Sequence, residues 1–166
     1  QAGVIAGARA LVDPIRRNPM MRTYRVEKLI YGALEATLLS YRAGRAAMEI
    51  PVLRMISVRR EEAKRRAQGF ARKLRREVPA SVRVGLRDGH SLVGGGSCPE
   101  YPLPTTLVAL ECDSPGPGAI GSRVRLQDPS IVVRVEEDRV LVDLRTVFPA
   151  QERALLEGLA AAVRAR

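Results

Sequence analysis

Apolar positions in this chain change period midway. Val26, Leu29, Ile30, Ala33, Leu34, Thr37, Leu38 and Tyr41 recur three and four positions apart, the spacing of one helical face, and predict a helix over 24–42 that stops at Gly44. So wide a stripe calls for a larger body to pack against. A second helix is predicted over 59–77, where Ala63, Ala67, Phe70, Ala71, Leu74 and Val78 form a narrower stripe. Ser57 reads as its N-cap, with Glu61 and Glu62 in the first turn and the run from Ile50 to Ile56 as a connection. After Pro79 the period shortens. Ser81-Val82-Arg83-Val84 alternates, 106–110 reads as a strand, and 131–135 and 140–144 flank Glu136-Glu137-Asp138-Arg139 as an antiparallel hairpin. The glycine- and proline-rich stretch 113–121 reads as loop. Pro149 sits where a first helical residue belongs, and Leu155, Leu156, Leu159, Ala160 and Val163 stripe a terminal helix. At the other end, Val4-Ile5-Ala6-Gly7 reads as the end of a buried strand, followed by a short helix over 8–17 that breaks near Asn18-Pro19.

This order implies an α/β to α+β arrangement, with one long helix linking the end of a larger domain to a smaller one. No internal repeat is visible. At 166 residues and 46% apolar composition, the chain can bury a core. No apolar run reaches the roughly 20 residues of a bilayer span, and the N-terminus has no secretory signal pattern. The chain opens on Gln1 within an apolar-glycine stretch, which reads as a fragment. Cys98 and Cys112 match no zinc spacing and are too few for a disulfide scaffold, so they read as reduced thiols of a cytoplasmic protein.

The formal net charge of +10 changes the picture by suggesting polyanionic partners. Almost all of it is arginine, lysine occurring only at Lys28, Lys64 and Lys73. The cations crowding 59–76 read as a solvated face or, second, as a tRNA contact. Aromatic residues, at 4%, are too sparse for the stacking platforms of single-stranded nucleic acid.

Candidate chemistry is thin. The single histidine, His90, falls in the polar run Arg87-Asp88-Gly89-His90 and reads as a surface turn residue. Gly94-Gly95-Gly96-Ser97 lacks the Gly-Lys-Ser/Thr of a phosphate-binding loop. More pointed is the cluster from Asn18 to Lys28. Arg22 and Arg25 lie three apart at a predicted helix start, so two forked donors beside a helix dipole form either a phosphate or carboxylate site or an ordinary exposed basic turn.

Several collinear stretches resemble the bacterial selenocysteine synthases, the L-seryl-tRNA(Sec) selenium transferases. Gln1-Ala2-Gly3-Val4-Ile5-Ala6-Gly7 is similar to that family's Pro-Gln-Ala-Gly-Ile-Ile-x-Gly. Asn18-Pro19 with Arg22, Arg25, Val26, Lys28 and Leu29 resembles its Asn-Pro-Leu-x-Arg-x-x-Arg-Val-Asp-Lys-Leu. Ala33-Leu34-Glu35-Ala36-Thr37-Leu38, Ile50-Pro51-Val52-Leu53-Arg54-Met55, Val93-Gly94-Gly95-Gly96-Ser97 and Leu141-Val142-Asp143-Leu144-Arg145-Thr146-Val147 match further family stretches. The departures are Met20-Met21 and the stretch 113–121, where the family carries an amphipathic helix.

The resemblance implies a fold-type I pyridoxal-phosphate enzyme: residues 1–22 end its large cofactor domain, 23–45 form a long linking helix, and 46–166 form a C-terminal small domain. It implies conversion of seryl-tRNA(Sec) to selenocysteinyl-tRNA(Sec) with selenophosphate, in homo-oligomeric rings of dimers in the cytoplasm, without a membrane. Pyridoxal 5'-phosphate belongs to the full-length protein, its lysine expected just before Gln1. Neither Lys28, Lys64 nor Lys73 suits that role, so this chain alone is expected to be inactive. Arg22 and Arg25 match the family's donor-binding arginines, and Arg134 is a further candidate for substrate contact. The alternatives are a related pyridoxal-phosphate lyase on another substrate, and a non-catalytic RNA-binding or assembly module.

Overall fold

A computed structural model of the chain describes residues 2–94 and 101–164. The chain divides into two compact units, Gln1–Arg54 and Met55–Arg166.

The first unit is helical: α1 (Arg9–Arg17), a 3-10 turn (Pro19–Arg22), α2 (Lys28–Arg42) and the short α3 (Ala46–Glu49), with α4 (Pro51–Ser57) running across the division. Asn18 ends α1 and begins the turn, because its side chain accepts from the Met20 N–H at 3.0 Å while Pro19 occupies the first position of the turn. Thr23 closes the turn by donating its hydroxyl to the Met20 carbonyl at 2.6 Å. The chain leaves that turn extended, so α2 begins at Lys28 rather than near residue 24. Gly44, at φ +68, ends α2 in the left-handed conformation that suits glycine. Val4 and Ile5 are exposed and form no strand; a strand exists only by pairing, and no described strand pairs with them. No residue of α2 is fully buried: Ile30, Leu34 and Thr37 are half-buried and Leu29 is 80% exposed, so the apolar stripe is only partly covered within this unit.

The second unit is a two-layer α+β structure. Four strands, β1 (Arg83–Ser91), β2 (Leu103–Glu111), β3 (Arg134–Glu136) and β4 (Arg139–Asp143), form an all-antiparallel sheet in the order β1-β2-β4-β3. One face carries α5 (Arg60–Glu77), α6 (Pro117–Arg125) and α7 (Glu152–Arg164). Alternation along the strands sends Val84, Val108, Leu110, Val140 and Val142 to that face, where they meet Phe70 and Leu74 of α5, Ile120 and Val124 of α6, and Leu155, Leu159 and Val163 of α7. The opposite face buries the apolar Leu107, Ala109 and Leu141, with the polar Thr105 and Ser91 at one end. Among the described residues there are thus seven α-helices and one mixed-in antiparallel sheet, and no helix is long and apolar enough to cross a membrane.

Four local expectations are corrected. Residues 51–57 form a helix rather than a connection, so Ser57 lies inside α4, and α5 starts after Arg59 without a side-chain cap. The stretch 113–121 is not all loop, because Pro117 opens α6, whose Ile120 and Val124 are fully buried. His90 lies in β1 opposite Pro104, not in a turn. The hairpin exists, but β3 is only three residues long. Glu137 and Asp138 turn the chain with φ +49 and +55, the paired positive values of a two-residue hairpin loop, while Ile131 and Val133 pack on the core unpaired. Residues 95–97 of the triple-glycine motif, and Cys98, lie outside the described residues.

Phe70 is 2% exposed at the centre of this core. Phe70→Ala is expected to destabilise the second unit by about 3–5 kcal/mol, measured by urea unfolding followed by circular dichroism.

Candidate functional site

The family-like motif Leu141–Val147 builds one end of the sheet, where β1 and β4 finish and β2 begins. Asp143, the last residue of β4, gathers three donors: Thr105 Oγ1 at 3.0 Å, the Arg145 N–H at 3.0 Å, and the Ser91 hydroxyl. The backbone donor arises because Asp143 caps the 3-10 turn Leu144–Thr146. That turn aims the Arg145 side chain inward. Only 5% exposed, Arg145 donates to the carbonyls of Val58 at 2.5 Å, Pro104 at 2.8 Å and Met55 at 3.3 Å. Its Nε is buried without a partner among the described residues. Sequence reasoning did not single out Asp143, Arg145, Ser91 or Thr105; an Asp two positions before an Arg at a strand end was the available signal.

Beside this network lies a cavity of about 440 Å³. Its walls are largely apolar, with Leu92, Ile131, Val132, Leu141 and Leu155 among them, and Ser91, Asp143, Thr146 and Gln151 add polar groups. Arg134 lines it from the start of β3. The Arg134 guanidinium donates through Nη1 to the His90 carbonyl at 3.3 Å and stands 3.8 Å from Glu136, whereas Nη2 is buried with no partner among the described residues. An unmatched buried donor is costly. Asp143 already accepts three bonds, and the buried polar group left unmatched on this wall is the Arg134 Nη2 donor. The cavity therefore suits a ligand with an apolar body and an acceptor or anionic group.

Arg22 and Arg25 belong to the first unit. Arg22 closes the 3-10 turn and Arg25 lies in the extended approach to α2, not on a helix. Both are exposed, and neither has a side-chain hydrogen bond or ion pair among the described residues. Among the described residues the three lysines are exposed and line neither the 440 Å³ cavity nor the shallow clefts on α1 and α2, so these side chains do not fit a covalent site for pyridoxal phosphate. Cys112 is buried and donates its thiol to the Ser114 carbonyl, a packing role. Among the described residues no group of His, Cys, Asp and Glu could hold a metal ion.

The sheet's open face is a closed charge ladder. Arg83 donates to Glu111 at 3.0 Å, Arg139 meets Glu111 at 2.6 Å, and Arg87 grips Glu137 through two bonds of 2.8 and 2.9 Å. The hydrogen bond from Arg83, reinforced by the Arg139 charge, holds the Glu111 carboxyl below its ordinary value. The Arg87 fork does the same to Glu137.

The profile of the family described as L-seryl-tRNA selenium transferase matches residues 1–148. A Geobacter sulfurreducens protein named L-seryl-tRNA(Sec) selenium transferase is 43% identical over 160 residues, covering 96% of this chain and 35% of its own length. Proteins of the same name from Geobacter metallireducens and Nitratidesulfovibrio vulgaris are 42% and 43% identical over 148 residues, each match covering 89% of this chain and 32% of the relative. The chain thus spans about a third of the length of the curated relatives it matches.

Arg145→Ala strips the buried carbonyls of Val58 and Pro104 of their donors and should cost about 3 kcal/mol, read from urea unfolding; Arg145→Lys should not restore it, since one ammonium does not replace the planar fork. The lowered Glu111 pKa adds stability above the ordinary carboxylate range, and this is lost as the pH falls through the lowered value. In the R83Q/R139Q variant, the Glu111 carboxyl should titrate at higher pH, back toward its ordinary value, in an NMR titration.

Proposed function

This chain belongs to the L-seryl-tRNA selenium transferase family, and from that premise we propose that it forms the C-terminal portion of an enzyme converting seryl-tRNA(Sec) to selenocysteinyl-tRNA(Sec) with selenophosphate. The observation that carries this reading is the continuous similarity to proteins of that name over 96% of the chain. In this reading, residues 1–22 complete a fold-type I large domain, 23–45 link, and 46–166 form the small domain of a cytoplasmic homo-oligomer.

Pyridoxal phosphate is the cofactor of the whole enzyme in this reading, and when bound it supplies an electron sink for the carbon bearing the seryl amine. Lys28, Lys64 and Lys73 do not suit its covalent attachment, so in this reading its lysine comes from another part of the enzyme. Arg22 and Arg25 bind the phosphate of the selenium donor. Two exposed guanidinium groups without internal partners keep their forked donors available for the oxygens of a phosphate. Arg134 contacts the substrate through the donor that its own fold leaves unmatched. The apolar walls around that cavity exclude water and strengthen such a contact.

A direct test replaces the matching segment of the Geobacter sulfurreducens relative with this chain and measures selenocysteinyl-tRNA formation. Activity in the chimera is expected; a folded chimera that binds its cofactor but transfers no selenium would overturn the reading. In an active chimera, Arg22→Ala and Arg25→Ala should each raise KM for selenophosphate by about 10- to 100-fold, with KM for seryl-tRNA little changed.

A further inference from the structure

The positive charge of the second unit is concentrated on one surface. Residues 59–77 contain nine Lys and Arg against three Glu, whereas the other described residues of that unit contain nine Arg against ten Asp and Glu. Elsewhere the arginines are largely consumed by the fold: Arg83, Arg87 and Arg139 in the charge ladder, Arg145 on carbonyls, Arg153 on Glu157, and Arg164 on Glu77. On α5 itself, Arg60 pairs with Asp88, Arg66 with Glu152, and Arg75 donates to the Val84 carbonyl. That leaves Lys64, Arg65, Arg72, Lys73 and Arg76 exposed, with no side-chain partner among the described residues.

Helical geometry aligns three of them. Ala63, Ala67, Phe70 and Leu74 turn into the core, and the positions diametrically opposite are Arg65, Arg72 and Arg76, separated along the axis by about 10 and 6 Å. Between Glu62 and Glu77 the helix carries no acidic residue. We propose that this outer face of α5 docks the phosphate backbone of a double-helical RNA segment. The inference rests on the tRNA-substrate reading only for which RNA it is.

The chemistry of the face selects this partner over other anionic ones. A membrane-binding helix needs an apolar side to insert, and the apolar side of α5 is buried in its own core to 2% exposure or less. A protein interface needs an apolar or aromatic centre, and between the two glutamates the exposed positions of α5 are all Lys, Arg or Gln. Single-stranded RNA needs aromatic platforms, and α5 exposes none. Arginine forks spaced along a rigid helix suit phosphates, whose recognition is insensitive to sequence.

The test uses the full-length protein that carries this chain. Binding of a tRNA(Sec) transcript and of an unrelated fully paired RNA duplex is measured against salt for the parent, for R65Q/R72Q/R76Q, and for R83Q/R139Q as a control. All three substituted α5 positions are exposed and unpaired, so the fold should survive, as circular dichroism would confirm. The triple variant should bind both RNAs at least about tenfold more weakly at near-physiological salt, with a log–log salt slope shallower by about two to three; the control should match the parent. Unchanged RNA affinity in the triple variant would overturn the proposal. So would parent binding to anionic phospholipid vesicles that matches its RNA affinity and disappears in the triple variant. Selenium transfer is followed in parallel. A parent that transfers selenium while the triple variant keeps its RNA affinity defeats this proposal alone. A parent without transfer whose RNA binding depends on the three arginines defeats the proposed function and leaves the surface standing.

Discussion

A buried arginine surrounded by carbonyls organises the second unit. Arg145 carries its charge into the protein with 5% exposure and no carboxylate in ion-pair range among the described residues, so backbone dipoles stabilise it. Such a group is expensive to desolvate and is tolerated only where its acceptors are held in place. The acceptors lie in two segments far apart in sequence, the junction of α4 with α5 and the start of β2. The same turn that aims Arg145 lets Asp143 collect Ser91 and Thr105. The end of the sheet, the approach to α5 and one wall of the cavity are therefore parts of a single polar network.

That network explains why the stretch Leu141–Val147 resembles its family although it contains no evident catalytic group. Its polar members are engaged by the fold: Asp143 accepts three hydrogen bonds, Arg145 donates to carbonyls, and Thr146 donates to the Asp143 carbonyl. Arg22 and Arg25 present the opposite case. They also sit in a family-like motif, yet the structure uses neither side chain. The proposed function gives those two side chains the phosphate of the selenium donor to bind. Arg134 stands between these cases, half engaged by the His90 carbonyl and half unmatched at a cavity wall.

Charge is divided in the same manner. The sheet's open face alternates arginine and glutamate across neighbouring strands until little is left for a partner, whereas the outer line of α5 leaves its cations unmatched. An overall charge of +10 distinguishes neither face. Only the pairing pattern separates arginines that hold the fold from those that remain available.

The sequence by itself determined the elements whose apolar positions repeat with a clear period: α2, α5, α7, β2 and the hairpin around Glu137-Asp138. It also carried the family, because collinear motifs survive in one dimension. It misread the segments whose structure depends on distant partners. Residues 51–57 form a helix although their pattern is that of a connection, and Ser57 looked like a cap because capping chemistry is local while the end of α4 is held by Arg145, some 90 positions away. Pro and Gly around residue 117 suggested loop, yet burial of Ile120 and Val124 against the sheet stabilises α6. Val4 and Ile5 had the composition of a strand, but no described strand pairs with them. The cavity, the donors gathered on Asp143 and the unmatched donor of Arg134 belong wholly to the tertiary structure, since hydrogen-bond satisfaction and burial are properties of which segments meet, and residue type alone does not encode that meeting.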